Sequence, residues 1–181
     1  LSTCSKIVPT NKKDGFKITP KQLNAAVSKK TKIFVLNSPS NPTGVVYSKE
    51  ELAPLAKICA KNNIYVISDE IYEKLIYDGL THVSIAGLNE DIFKLTFVVN
   101  GVSKAYSMTG WRIGYLAGPL EIVCGISNLQ DHSTSNPCSI AQKAALCGLT
   151  EDGVSVSKMR IEFEKRRDHL MKRIDKIPLI S

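Results

Sequence analysis

The chain reads as an α/β domain built on a mostly parallel sheet with helices on both faces. Three observations predict this. The runs Ile33-Phe34-Val35-Leu36, Ile64-Tyr65-Val66-Ile67 and Leu95-Thr96-Phe97-Val98-Val99 are largely apolar rather than alternating, as strands covered on both faces are. Helical patterns lie between them, and strand, helix, strand at this spacing calls for right-handed crossovers and parallel pairing. The 181 residues, 43% of them hydrophobic, suffice to bury a core without disulfide staples and do not suit a disordered chain.

In chain order, Ile7-Val8 is a short strand candidate. Thr19-Pro20-Lys21-Gln22 predicts a helix start, with Thr19 as N-cap, Pro20 at the first helical position and Gln22 completing a capping box. Leu23, Ala26 and Val27 supply that helix's apolar face. The strand at 33–36 ends in the Pro- and Asn-rich stretch Ser38-Pro39-Ser40-Asn41-Pro42-Thr43-Gly44. A second capping box, Ser48 to Glu51, opens a helix with Leu52, Leu55, Ala56 and Cys59 on one face. Asn62-Asn63 closes it before the strand at 64–67. Strands follow at 95–99 and 113–117. Beyond 119 the pattern turns helical, over about 120–130, 138–149 and 154–176. Ser133-Thr134-Ser135-Asn136-Pro137 reads as a loop and helix cap.

Charge and composition bound the function. Lys and Arg number 24 against 17 Asp and Glu, a net charge of +7. Such a balance is a first hint of a nucleic-acid partner, but its location argues otherwise. Residues 1–32 are net +7, residues 157–176 are net +4, and the middle is net acidic. No zinc finger or RNA-binding aromatic motif accompanies the basic ends. Five widely spaced cysteines without a C-x-x-C, and three His at no zinc-ligand spacing, speak for reduced thiols and against a structural metal. No apolar run approaches the roughly 18 residues of a membrane span. The expected setting is cytoplasmic.

In open α/β sheets, ligands sit at the carboxyl ends of the strands. The residues there are Asn41, then Asp69 and Tyr72 in Ser68-Asp69-Glu70-Ile71-Tyr72, then Ser103 and Lys104 in Asn100-Gly101-Val102-Ser103-Lys104, and Arg112 just before the strand at 113–117. Taken singly, each has an ordinary reading: Asp69 as a helix cap, Lys104 as a solvated lysine, Arg112 as a surface ion-pair partner. Together they offer an amine nucleophile, a carboxylate and phenol able to hold a heteroaromatic ring, and a guanidinium able to hold a phosphate. Asp131-His132-Ser133 is no catalytic triad, because consecutive residues cannot face one another in relay, and no G-x-S-x-G elbow is present. There is no G-x-G-x-x-G and no Walker loop.

Ser38-Pro39-Ser40-Asn41-Pro42-Thr43-Gly44, Ser68-Asp69-Glu70-Ile71-Tyr72, Asn100-Gly101-Val102-Ser103-Lys104-Ala105 and Met108-Thr109-Gly110-Trp111-Arg112-Ile113-Gly114-Tyr115 resemble class I/II aminotransferases. These are fold-type I enzymes dependent on pyridoxal 5′-phosphate, and the wording is nearest to the branch holding bacterial-type aspartate and prephenate aminotransferases. The resemblance implies that Lys104 forms the Schiff base and shuttles a proton at the substrate Cα. It implies that Asp69 pairs with the pyridine nitrogen, that Tyr72 and Asn41 hydrogen-bond the phenolic oxygen, and that Arg112, helped by Ser103, grips the phosphate. A cis peptide is expected at Asn41–Pro42.

The same resemblance implies that residues 1–153 are the central part of a large cofactor-binding domain, and that 154–181 form the long helix leading into a small C-terminal domain. A glycine-rich phosphate loop upstream and a carboxylate-binding arginine downstream belong to the family pattern and are not in these 181 residues. Amino-acid and 2-oxo-acid substrates and a homodimer are the implied partners, with aspartate and 2-oxoglutarate as default. The alternatives are a lyase or decarboxylase on the same scaffold, or a basic nucleic-acid-binding module.

Overall fold

A computed structural model describes residues 4–151 and 153–178. Four strands, β1 (Ile33–Asn37), β2 (Tyr65–Asp69), β3 (Thr96–Gly101) and β4 (Gly114–Ala117), form one sheet in the order β1-β2-β3-β4. The first three are parallel, and β4 runs antiparallel to β3. Six helices accompany them: α1 (Pro20–Ala26), α2 (Lys49–Lys61), α3 (Glu90–Phe93), α4 (Leu120–Ser133), α5 (Ser139–Glu151) and α6 (Gly153–Ile174). The mostly parallel α/β architecture is therefore as the sequence predicts. The short strand expected at Ile7-Val8 is not formed. That stretch has no sheet neighbour, and Ile7 is 86% exposed. A strand exists only where a second strand accepts and donates its ladder bonds.

Both capping boxes are made. The Thr19 hydroxyl accepts from the Gln22 amide while Gln22 reaches back to the Thr19 amide. Ser48 and Glu51 repeat the arrangement at the start of α2. Asn62 ends α2 by donating through its side chain to the Ile58 carbonyl, and Asn63 turns left-handed at φ 52°.

The predicted stripe of α2 is buried in full: Leu52, Leu55, Ala56 and Cys59 pack with Leu23 of α1, Leu36 of β1, Val66 of β2, Ile92 of α3 and Ile85 in the short 3-10 turn before α3. Burial of this kind stabilises by roughly 2 kcal/mol per large aliphatic side chain. Along β1, Leu36 points into this core while Ile33 and Val35, on the opposite face, remain exposed. Burial here follows the period of two that a pleated strand imposes.

The sheet's register decides where the site lies. Asn37 pairs with Asp69, Asp69 with Val99, and Gly101 with Gly114. The carboxyl ends of β1, β2 and β3 and the amino end of β4 thus share one edge. Gly101 permits the closeness of the last pair, since a Cβ there would stand 2.8 Å from the Ile113 carbonyl oxygen and 3.0 Å from the Gly114 Cα.

Candidate active site

Three connections, after β1, β2 and β3, deliver the predicted residues to that edge. Asn41 follows β1 in a turn closed by Gly44 N–H to the Ser40 carbonyl and Ser40 N–H to the Val45 carbonyl. Asp69 is the last residue of β2, and Tyr72 lies in the tight turn after it, where the Glu73 amide donates to the Glu70 carbonyl. Ser103 and Lys104 follow β3, and Arg112 immediately precedes Ile113 and β4. The Asn41–Pro42 peptide is cis, as expected, and so is Ser38–Pro39.

Three of the six side chains are brought into direct association. The Asn41 side-chain amide donates to the Tyr72 hydroxyl at 3.2 Å, and the Lys104 Nζ lies 5.9 Å from the centroid of the Tyr72 ring. Asp69 joins them through Asn37. The Asn37 side chain donates to the Asp69 carbonyl at 3.1 Å and accepts from the Asn41 amide at 2.8 Å. One oxygen of the Asp69 carboxylate accepts from the Ile71 amide at 3.2 Å, which fixes its rotamer. Among the described residues, Arg112 and Ser103 make no side-chain bond to these groups. Arg112 is exposed, adopts a left-handed backbone at φ 55°, and donates to the Thr109 carbonyl at 3.1 Å. A non-glycine residue in that region is sparsely populated and gathers at functional turns.

Two residues without a predicted role prove central to the geometry. Asn37 is the bridge just described. Glu70 is 3% exposed, and its carboxylate accepts from Ser68 Oγ at 2.8 Å, Ser84 Oγ at 2.7 Å and His82 Nε2 at 2.7 Å. Burial works to raise its pKa, but the bonds from His82, Ser84 and Ser68 outweigh it, and the carboxyl is held below its usual value of 4.5. A signal for it exists in the sequence: Ser68 and Glu70 are polar residues at the period-two positions that continue the buried Val66. Glu73 stands close enough that one ligand atom each from Glu70, Glu73 and His82 lie within 4.8 Å of one another. Sequence spacing did not foresee that grouping, because folding rather than spacing assembles it.

Three of the arginines of α6 are engaged in ion pairs. Arg160 pairs with Glu164, Arg166 with Glu162, and Arg167 with Asp78 and Asp168. Among the described residues no helix is long and apolar enough to cross a membrane.

Comparison with known proteins decides the family. The sequence model described as aminotransferase class I and II matches residues 2–181. The chain belongs to the class I and II aminotransferases. It is 49% identical over 166 residues to an aspartate aminotransferase of Bacillus subtilis, covering 92% of this chain and 42% of that protein. To an aspartate/prephenate aminotransferase of Cereibacter sphaeroides it is 46% identical over 155 residues, or 85% and 39% of the two chains. A solved aspartate aminotransferase from Thermus thermophilus with maleate superposes with a TM-score of 0.86 at 40% identity, covering 91% of this chain and 43% of that one. An aromatic aminotransferase from Pyrococcus horikoshii gives 0.89 at 37% identity, covering 93% and 46%. This aminotransferase chain thus spans less than half the length of these relatives. Its four-stranded sheet belongs to the fold-type I architecture that the solved relatives display.

Proposed function

We propose that the protein carrying this chain is a pyridoxal 5′-phosphate-dependent aminotransferase. It exchanges an amino group between an amino acid, aspartate by default, and a 2-oxo acid, 2-oxoglutarate by default, in two half-reactions. The observation that carries the reading is the exposed Lys104 amine over the ring of Tyr72, with Tyr72 held by Asn41 and tied through Asn37 to Asp69.

The donor set suits that cofactor. Asp69 offers an acceptor beside a sheet edge, fit to hold a protonated ring nitrogen. Tyr72 accepts from Asn41 and keeps its own O–H to donate, fit to hold a phenolic oxygen. Arg112 has its guanidinium in the open with Ser103 on the same connection, fit for a phosphate. When bound, the pyridoxal group supplies an electron sink for the bond broken at the substrate α-carbon. Lys104 provides the amine that holds the cofactor and, once released, the base that moves the proton at that carbon. Asp69, through its negative charge, keeps the ring nitrogen's proton in place.

The relatives' names favour amino transfer over a lyase or decarboxylase reading. The nucleic-acid alternative has only the basic ends of the chain behind it, and three of the eight basic residues over 157–176 are ion-paired within the chain. The reading includes residues 1–153 as part of the large domain, and 154–181 as the helix leading to a small one. It also includes a homodimer, supported by the exposed Leu120, Ile126, Leu129, Ile140 and Leu146 of α4 and α5, and a reducing, cytoplasmic setting, supported by five widely spaced cysteines without a C-x-x-C.

Reduction with borohydride in the presence of pyridoxal 5′-phosphate, followed by peptide mass analysis, is expected to mark Lys104. The same protein incubated with aspartate and 2-oxoglutarate is expected to form glutamate. Lys104→Ala is expected to lose both. A label that persists at another lysine in that variant sinks the assignment.

A further inference from the structure

We propose that Glu70 is a positioning residue: its buried carboxylate, gripping Ser68, His82 and Ser84, closes the base of the loop in which Tyr72 rides and so sets how Tyr72 and Asp69 face the cofactor. The inference rests on the functional reading above.

The loop leaves β2 after Asp69 and returns at Ser84, just before the fully buried Ile85. Its two ends meet at one side chain. Glu70 Oε1 accepts from Ser68, on the strand before it, and from Ser84, on the returning chain, while Oε2 accepts from His82. The Glu70 backbone is fixed as well, its amide donating to the Val99 carbonyl and its carbonyl accepting from the Glu73 amide. Asp69 and Tyr72 lie on either side of it, so neither can move without straining that knot.

Three donors converging on one group require a group that only accepts, which an ionised carboxylate does and an amide does not. A glutamine could turn its N–H toward His82 only if the His82 proton moved to Nδ1, a buried nitrogen with no hydrogen-bond partner among the described residues. The His82 Nε2 to Glu70 Oε2 separation of 2.7 Å is that of a direct hydrogen bond. The titratable neighbours are His82 within the loop, Glu73 in the turn, and Tyr115 of β4, whose phenol burial raises, with Glu73, Tyr106 and Glu70 adding to the effect. The tip of the loop is held independently: Asp78 accepts both Arg167 nitrogens at 2.7 Å and donates its amide to Glu164. Glu70 therefore governs the base, where Tyr72 sits, and not the tip.

The test is an absorbance titration of the intact, pyridoxal-phosphate-loaded protein against pH. It compares wild type, Glu70→Gln, Ser84→Ala and a core control, Leu55→Val, chosen to lower the melting temperature without touching the loop. With Tyr72 and Asn41 favouring the ionised phenolic oxygen, loosening their loop is expected to raise the protonation midpoint of the cofactor band. The expected rise is about half a pH unit in Glu70→Gln and less in Ser84→Ala. Leu55→Val is expected to leave it unmoved. Equal midpoints in Glu70→Gln and Leu55→Val overturn the proposal and reduce Glu70 to a structural residue. If Glu70→Gln does not fold, Ser84→Ala decides by the same comparison. A wild-type protein with no cofactor band and no label on Lys104 defeats the functional reading itself, a result distinct from an unmoved midpoint.

Discussion

Glu70 shows how one buried carboxylate can serve stability in a definite pH range. Its folded pKa is lowered, so the stabilisation is present above the unfolded value and is lost as pH falls through the folded one. Thermal midpoints of the wild type are therefore expected to drop as pH falls below the ordinary glutamate value of 4.5, and Glu70→Gln is expected to flatten that part of the acid limb. Elsewhere burial acts alone: it pushes the Cys59 thiol up to about 11, as suits a cysteine packed in the core and used only for its volume.

At the scale of single elements, α2 is the clearest case of local information sufficing. Its N-cap hydroxyl, its N3 glutamate and its buried stripe all lie within one stretch of sequence and are all observed. Ser48→Ala is expected to cost about 1 kcal/mol and Leu55→Ala between about 2 and 5 kcal/mol, read as shifts in the urea midpoint. The strands were legible for the same reason where a run was long, as at 33–36 and 95–99. They were illegible where pairing decides. Ile7-Val8 has the composition of a strand but no neighbour, and nothing in Ile113-Gly114-Tyr115-Leu116-Ala117 announces that β4 runs against β3. The site follows the same division. Asn41, Asp69, Tyr72, Lys104 and Arg112 could be nominated from sequence because each lies at or beside a strand end whose place was clear and within a motif resembling the family's. Asn37 and Glu70 act through partners remote in sequence, such as Asp69 across the strand pair and Ser84 across the loop, and those partnerships exist only after folding.

For the molecule as a whole, part of the basic charge that first suggests a polyanion is paired within the chain. Arg167 lies over the Tyr77 ring and grips Asp78, tying α6 to the tip of the loop that begins at Glu70. The pair is exposed, so salt screens it. Limited proteolysis between residues 78 and 80 is expected to quicken as ionic strength rises, and Arg167→Ala is expected to show the fast rate already at low salt. Unchanged cleavage in that variant would remove Arg167 from any role in holding the loop and leave the tip to Glu164.

The pairing of Gly101 with Gly114 has a consequence for how such chains can vary in length. Residues 102–113 leave one strand and return to its immediate neighbour, so they form a closed circuit whose two ends are pinned to each other. A slip of one residue at the junction that set Val102 in the place of Gly101 would put a side chain where even a methyl has no room, and a slip of β4 would turn every one of its side chains to the opposite face. The distance between the circuit's two ends is therefore fixed from outside, and any residue gained or lost within it must be absorbed in the one connection that carries both Lys104 and Arg112.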